Sequence, residues 1–167
     1  MRINLASGQR PFNGWVNVDI REQGYPVDVI ADITQLPDSI NDVEIFVAHH
    51  VIEHLDMSVV GNLFKDYFNR LRIGGKLLVA VPDMRAIVDA WTSGRIDNYI
   101  FNVNTYGAYQ GFPTDLHRWS YTEESLMTTA DSEWTIKRRI HGLHELQGYD
   151  GADLALDWWI LMIELVK

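Results

Sequence analysis

Short apolar runs separated by polar turns fill the first third of the chain, at strand rather than helix spacing. Arg2–Leu5 reads as a strand, broken by the small residues Ala6, Ser7 and Gly8. Val16–Val18 reads as a second strand with Asp19 at its carboxyl end. Val27–Ala31 alternates towards a third, with Asp32 just past it. Glu44–Ala48 (EIFVA) predicts a buried fourth strand that runs into His49 and His50. The period then changes. Val60, Leu63, Phe64, Tyr67, Phe68 and Leu71 recur at helical spacing and predict an amphipathic helix over Ser58–Arg72. Asp56 or Ser58 can cap it, and Gly74-Gly75 is the expected stop. Lys76–Val81 (KLLVAV) is continuously apolar, as a central parallel strand buried on both faces should be, and Pro82 ends it.

From Asp83 the pattern loosens. Met84–Trp91 and Ile96–Val103 predict helices, and Thr122–Asp131 a short one with Glu123 and Glu124 at its positive end. Trp134–Ile140 and Leu156–Val166 read as late strands, an antiparallel pair at the sheet edge. Ahead of these strands Tyr99, Tyr106, Tyr109, Phe112, Trp119 and Tyr121 are interleaved with Gly107, Gly111 and Pro113. Such a span is either a lid or acceptor loop or core beneath a long connection. Ser7 to Trp15 is only nine residues, short of the dozen or more that a parallel crossover with a helix takes. The first crossover is therefore a single helical turn at most, or a loop. The elements together predict an α/β, Rossmann-like three-layer sandwich. Its sheet has seven strands, mostly parallel, with an antiparallel terminal strand and reduced helices in the first crossovers.

The chain has 167 residues, which suits one domain with a real core, and 47% of them are hydrophobic against 22% charged. No apolar run approaches the roughly 18 residues of a membrane span, and the amino-terminal residues lack the apolar core of a secretory signal. The absence of cysteine excludes disulfides, thiolate nucleophiles and cysteine-ligated metal, and is compatible with a cytoplasmic location. A net charge of −9 disfavours nucleic acid and anionic membranes as partners. The tight basic cluster Lys137, Arg138 and Arg139 reads as a solvated strand end. A small or neutral acceptor fits this charge better.

A tight turn after one parallel strand and a carboxylate closing the next is how an open α/β sheet holds a nucleoside. Asp19 and Asp32, thirteen residues apart, repeat the strand-then-acid pattern and should face one crevice.

These segments resemble the class I S-adenosylmethionine-dependent methyltransferases, most closely a small bacterial branch with GWxNVD and HxxEH motifs. The matching segments, in order, are Asn4–Gly8, Gly14–Asp19, Ala31–Ile33 with Leu36-Pro37, His50–His54 and Leu71–Lys76. The usual glycine-rich loop is thinned here to Ala6-Ser7-Gly8, and RIGG replaces RPGG. The helix that often precedes the first strand is not seen, so the aromatic loop or a partner chain, as in a homodimer, would supply the cover. The resemblance implies S-adenosylmethionine as cofactor and a methyl acceptor of small-molecule or glycan type. It places Leu5, Ala6, Ser7 and Gly8 at the methionyl part, Asp19 at the ribose hydroxyls and Ile20 at the adenine. Asp32 would accept from the adenine amine, Ile33 would pack beside the ring, and His49 and His50 would lie near the sulfonium. His117, in a DLHRWS segment like one of the same branch, ranks first as the acceptor's base, ahead of His50, Glu53 and His54.

Other readings compete. Asp19 and Asp32 can be plain turn residues, and Glu53, His54, His117 and Arg118 can simply anchor loops. His141 and His144 read as structural, and of the adjacent Trp158 and Trp159 only one can face the core. His50-Val51-Ile52-Glu53-His54 also matches the H-x-x-E-H pattern of inverted zinc peptidases, but an apolar strand runs straight into it where that pattern needs a helix. No metal is therefore assigned. A nicotinamide enzyme would show G-x-G-x-x-G after the first strand, which is not found. A module that binds the cofactor without turnover is the principal rival to a methyltransferase.

Overall fold

The computed structural model describes residues 1–22, 24–109, 111–130, 133–141 and 157–167. Seven strands form one sheet: β1 (Arg2–Leu5), β2 (Val16–Asp19), β3 (Val29–Ile30), β4 (Val43–His49), β5 (Leu71–Pro82), β6 (Ile136–Ile140) and β7 (Ile160–Val166). Their order is β3-β2-β1-β4-β5-β7-β6. The first five run parallel, and β7 is antiparallel to both β5 and β6. The sheet is thus the expected mixed α/β architecture. The late strands pair as predicted, and the starts of Leu156–Val166 and the end of Thr122–Asp131 lie outside the described residues.

One sheet face is closed by α1 (Met57–Arg70), whose Val60, Leu63, Phe64 and Tyr67 are buried against Phe46, Leu77 and Val79, and by Leu126 of α4 (Glu123–Thr129). The cap of α1 is Asp56, which accepts from the Ser58 amide at 2.9 Å. Its end differs from expectation. Leu71 already has extended backbone (φ −70°, ψ 141°) and opens β5, so Gly74 and Gly75 lie inside the strand. Between the pairs Val43–Leu71 and Ile45–Lys76 the register shifts, a bulge with Gly74 at φ 73°. Gly75 is required there because a Cβ would stand 2.8 Å from the Val43 carbonyl oxygen. The glycine pair shapes a bulge instead of stopping a helix.

The other face carries Ile45, Val47, Leu78, Ala80 and Met162, with Trp15, Phe12 and Trp159 packed over them. Here the short first crossover holds no helix. Two buried asparagines take its place. Asn4 Nδ2 donates to Asn17 Oδ1 and to the Arg10 carbonyl, both at 3.0 Å. Asn17 accepts from the Phe12 amide at 2.8 Å and donates back to the Phe12 carbonyl at 3.1 Å. The loop's backbone groups find partners on the strands, which a helix would otherwise have satisfied internally.

Two further helices, α2 (Met84–Thr92) and α3 (Asn98–Tyr106), follow β5, capped by Asp83 and Asp97. No α3 residue is buried, and Trp91 of α2 stacks on its Phe101 at 4.5 Å. Lys137 and Arg138 are exposed on β6, as a solvated strand end should be, and the cluster is paired as well. Lys137 donates to the Ala130 carbonyl, Arg138 pairs with buried Glu164 at 2.7 Å, and Arg139 pairs with Asp83 and Glu123. Among the described residues no helix is long and apolar enough to cross a membrane.

Candidate functional site

The strand order reverses between β1 and β4: from β1 the chain moves out to β2 and β3, then returns to the other side. Open α/β sheets bind ligands outside the carboxyl ends of their strands at such a switch point. A cleft of about 790 Å³ opens there, within the range of small-molecule sites. It is lined by Ala6, Ser7, Gly8, Asp19, Ile20, Asp32 and Ile33 on one side. His49, His50, Glu53, His54 and His117 line the other. Twelve of the thirteen residues singled out for the site therefore meet in one cleft. The exception is Leu5, which is buried in the core beneath the turn.

Backbone strain concentrates at the switch point. Ala6 (φ 51°) and His50 (φ 53°), each just past a strand that borders the reversal, adopt the left-handed conformation that residues with a Cβ avoid. Each costs on the order of 1–2 kcal/mol, and such strain is held where the surrounding structure over-determines it. On the first side, the buried Asp19 carboxylate accepts from the Gly8 amide at 2.8 Å and from the Arg21 amide at 3.2 Å. The acid thus fixes the turn and still presents free lone pairs to the cleft. Ser7 Oγ is buried with no hydrogen-bond partner. Ile20 is 51% exposed although apolar. Asp32 accepts from the Thr34 amide and hydroxyl through Oδ1, leaving Oδ2 uncommitted among the described contacts.

On the second side, β4 ends at His49 and the chain turns through a single 3-10 turn, Ile52–His54, before α1. The H-x-x-E-H segment is therefore not a helix, and His50 and His54 do not share a helical face as the inverted peptidase pattern requires. Glu53 is 1% exposed. Its Oε1 lies 3.1 Å from His50 Nδ1, while Oε2 is buried without a partner. His49 and His50 each bury an Nε2 without a partner. Burial, with help from His50 and Arg10, pushes His49 down to about 3, so its ring is neutral at ordinary pH.

The DLHRWS segment reaches this corner from sixty-odd residues away. The amides of Arg118 and Trp119 both donate to the Glu53 carbonyl, at 2.8 and 3.1 Å, and the His117 amide donates to Tyr106. The His54 and His117 rings meet edge to face at 4.8 Å. Burial lowers the pKa of His117, His54 adds to the effect, and Glu53 opposes it.

Sequence reasoning missed Asn4, Asn17 and Arg21. The two asparagines could have been flagged as polar residues inside otherwise apolar strands. Arg21 lies 3.8 Å over the Phe112 ring and 4.0 Å from Asp115, pinning the aromatic span across the cleft. His141 is exposed and away from the cleft residues, and His144 lies outside the described residues.

No family model and no curated protein matches this sequence. Solved structures do match in shape. A SAM-dependent methyltransferase from Archaeoglobus fulgidus aligns over 99% of this chain and 85% of its own, with a TM-score of 0.61 and 14% identity. The plantazolicin methyltransferase BpumL, in complex with SAH, aligns over 99% and 75%, with a TM-score of 0.62 and 10% identity. A SAM-dependent methyltransferase from Methanosarcina mazei aligns over 99% and 91%, with a TM-score of 0.58 and 11% identity. The fold is the one these methyltransferases share. This chain builds that fold with a first crossover that holds no helix and is tied down by Asn4 and Asn17.

Proposed function

We propose that this chain is a single methyltransferase domain that binds S-adenosylmethionine in the β1–β4 cleft and methylates a small-molecule or glycan-type acceptor. The observation that carries the reading is the two-sided cleft: a strained small-residue turn latched by a buried carboxylate faces a corner of histidines around a buried glutamate. The first side fits the cofactor. Asp19 offers lone pairs to ribose hydroxyls, Asp32 an acceptor to the adenine amine, and Ile20 and Ile33 apolar surface to the base. The unpartnered Ser7 hydroxyl offers the polar contact that buried groups ordinarily find. Ala6 and Gly8 leave room for the methionyl part.

When bound, the cofactor supplies a methyl group activated on a sulfonium. The chain's own task is to align the acceptor and take its proton. His50 suits that role better than His117. A proton on His50 Nδ1 is donated to Glu53 Oε1, which leaves the lone pair on Nε2, where no other group engages it. His117 hangs from the Asn104 carbonyl through Nδ1 at 3.1 Å and shares its corner with His54. Neutral His49 lines the same wall without adding charge beside a cationic donor.

The net charge of −9 speaks for an acceptor other than nucleic acid and against a membrane partner. A cytoplasmic location and a homodimer covering the aromatic span fit the same reading. The test is incubation with S-adenosylmethionine and a panel of hydroxylated small molecules and sugars, following release of S-adenosylhomocysteine. Turnover with one acceptor class, lost in His50→Gln, supports the assignment. Cofactor binding without turnover on any acceptor would leave the binding-module reading.

A further inference from the structure

Beyond the cofactor side, we infer that Glu53, His54 and His117 form a binding site for a first-row divalent cation, with Zn²⁺ the best fit. One ligand atom from each of the three lies within 4.8 Å of the others. The preparation of these atoms goes further than proximity. His54 Nδ1 lies 3.3 Å from the Leu116 carbonyl and His117 Nδ1 3.1 Å from the Asn104 carbonyl. A carbonyl can only accept, so Nδ1 of each ring is the donor, and Nε2 is the nitrogen left to serve as a ligand atom. This is how metal-binding histidines are held, the second nitrogen being tied to a carbonyl or carboxylate. Glu53 supplies the negative ligand, buried at 1% exposure with Oε2 lacking any partner. A buried carboxylate oxygen without a donor is costly unless something cationic meets it.

Two imidazoles and one carboxylate form a donor set known for zinc sites that keep an open position. Tetrahedral zinc holds such donors about 3.3 Å apart, so the set closes on an ion by side-chain torsion. The outer support is in place. Glu53 Oε1 is held by His50, and the two backbone amides of Arg118 and Trp119 fasten the segment carrying His117 to the Glu53 carbonyl. The same three residues border the cleft, so the open position faces its interior. An ion there would take an oxygen donor of the ligand sharing the cleft: a hydroxyl, phenol or carboxylate. Coordination lowers the pKa of a bound hydroxyl and fixes its direction. This use of the ion rests on the methyltransferase reading, whereas the site itself does not. The H-x-x-E-H segment thus takes part in a metal site, but with His117 in place of His50.

The experiment is calorimetric titration of untagged, chelator-stripped protein with ZnCl₂, and of a second sample with CoCl₂ while the visible spectrum is recorded. The expected result is one ion per chain and a cobalt spectrum of four- or five-coordinate type. His54→Gln and His117→Gln should each weaken binding by about 100-fold or more, a ligand mattering at least as much as its outer-shell support. His141→Gln, remote from the cleft, should leave it unchanged. Zinc binding of equal strength in wild type, His54→Gln and His117→Gln, each with a native circular dichroism spectrum and melting transition, would overturn the site, as would no binding to the wild type. Titration with S-adenosylhomocysteine runs alongside. Zinc bound without it keeps the metal site and sinks the methyltransferase reading, and the reverse result sinks only the metal site.

Discussion

Gly107 shapes the turn that brings His117 to Glu53, and Gly107→Ala should separate that corner from the rest of the cleft. The residue caps α3 with φ 83° and ψ 160°, a region open almost only to glycine. A Cβ there would run into the Asp115 carbonyl oxygen and stand 3.0 Å from the His117 amide nitrogen. The backbone conflict costs about 1–3 kcal/mol and the overpacking a similar amount, so about 2–6 kcal/mol falls on the turn joining α3 to His117. That exceeds the roughly 1 kcal/mol of the His117–Tyr106 hydrogen bond it displaces. The expected relief is release of the Arg118 and Trp119 amides from the Glu53 carbonyl while the sheet stays folded. Hydrogen exchange resolved to single amides reads this directly. Protection at His117, Arg118 and Trp119 should fall by about thirtyfold or more, the equivalent of the lower bound of 2 kcal/mol. Protection at Ile3, Phe46 and Val79 should hold. S-adenosylhomocysteine affinity should change by less than about threefold, since Asp19 and Ala6–Gly8 lie on the opposite side. Protection at the three amides within threefold of wild type would refute the idea that this glycine positions His117.

Other expectations follow from the same contacts. His49 is neutral when folded, with its pKa pushed down to about 3 by burial, His50 and Arg10, but near 6.5 when unfolded. Below pH 6.5 the unfolded chain takes up a proton that the folded chain refuses. This site therefore stabilises fully above pH 6.5 and loses stability down to about pH 3. Its slope is at most about 1.4 kcal/mol per pH unit, and urea unfolding of His49→Gln should show a flatter acid limb than wild type. Tyr67 donates to the Ile33 carbonyl at 2.9 Å from a fully buried position, so Tyr67→Phe should cost about 1–2 kcal/mol in urea unfolding. Arg70 binds the carbonyls of Leu36, Pro37 and Ile40 as well as Asp66. Arg70→Ala should cost about 2–4 kcal/mol by the same measurement, and loss of less than 0.5 kcal/mol would show that this loop is held otherwise.

Much of the fold was written in local pattern. The helical spacing of Val60, Leu63, Phe64 and Tyr67 and the unbroken KLLVAV run fix α1 and β5, because burial on one face or on both leaves a direct period in the sequence. Gly74-Gly75 deceived for a physical reason. A glycine pair after a helical run reads the same whether it ends a helix or permits a bulge, and what decides is the close approach of the Val43 carbonyl from another strand. The short crossover was legible as short, but not as held by Asn4 and Asn17, since the loop atoms they bind are fixed only once β1 and β2 pair.

The site divides along the same line. Ala6–Gly8 and Asp19 sit within one short segment, so the latch between Gly8 and Asp19 could be anticipated from strand ends alone. The corner of Glu53, His54 and His117 could not. Its members come from either side of α1, β5, α2 and α3, and resemblance alone placed His117 near the chemistry. Its pairing with His54, and the choice of tautomer by Leu116 and Asn104, emerge only from three-dimensional placement.

The central claim is that the β1–β4 cleft holds S-adenosylmethionine through Asp19. Calorimetric titration with S-adenosylhomocysteine, wild type against Asp19→Ala, tests it most directly. The account predicts micromolar binding to the wild type, weakened about tenfold or more in the variant through loss of charge-assisted hydrogen bonds. Folded wild-type protein that binds neither S-adenosylhomocysteine nor S-adenosylmethionine would contradict it.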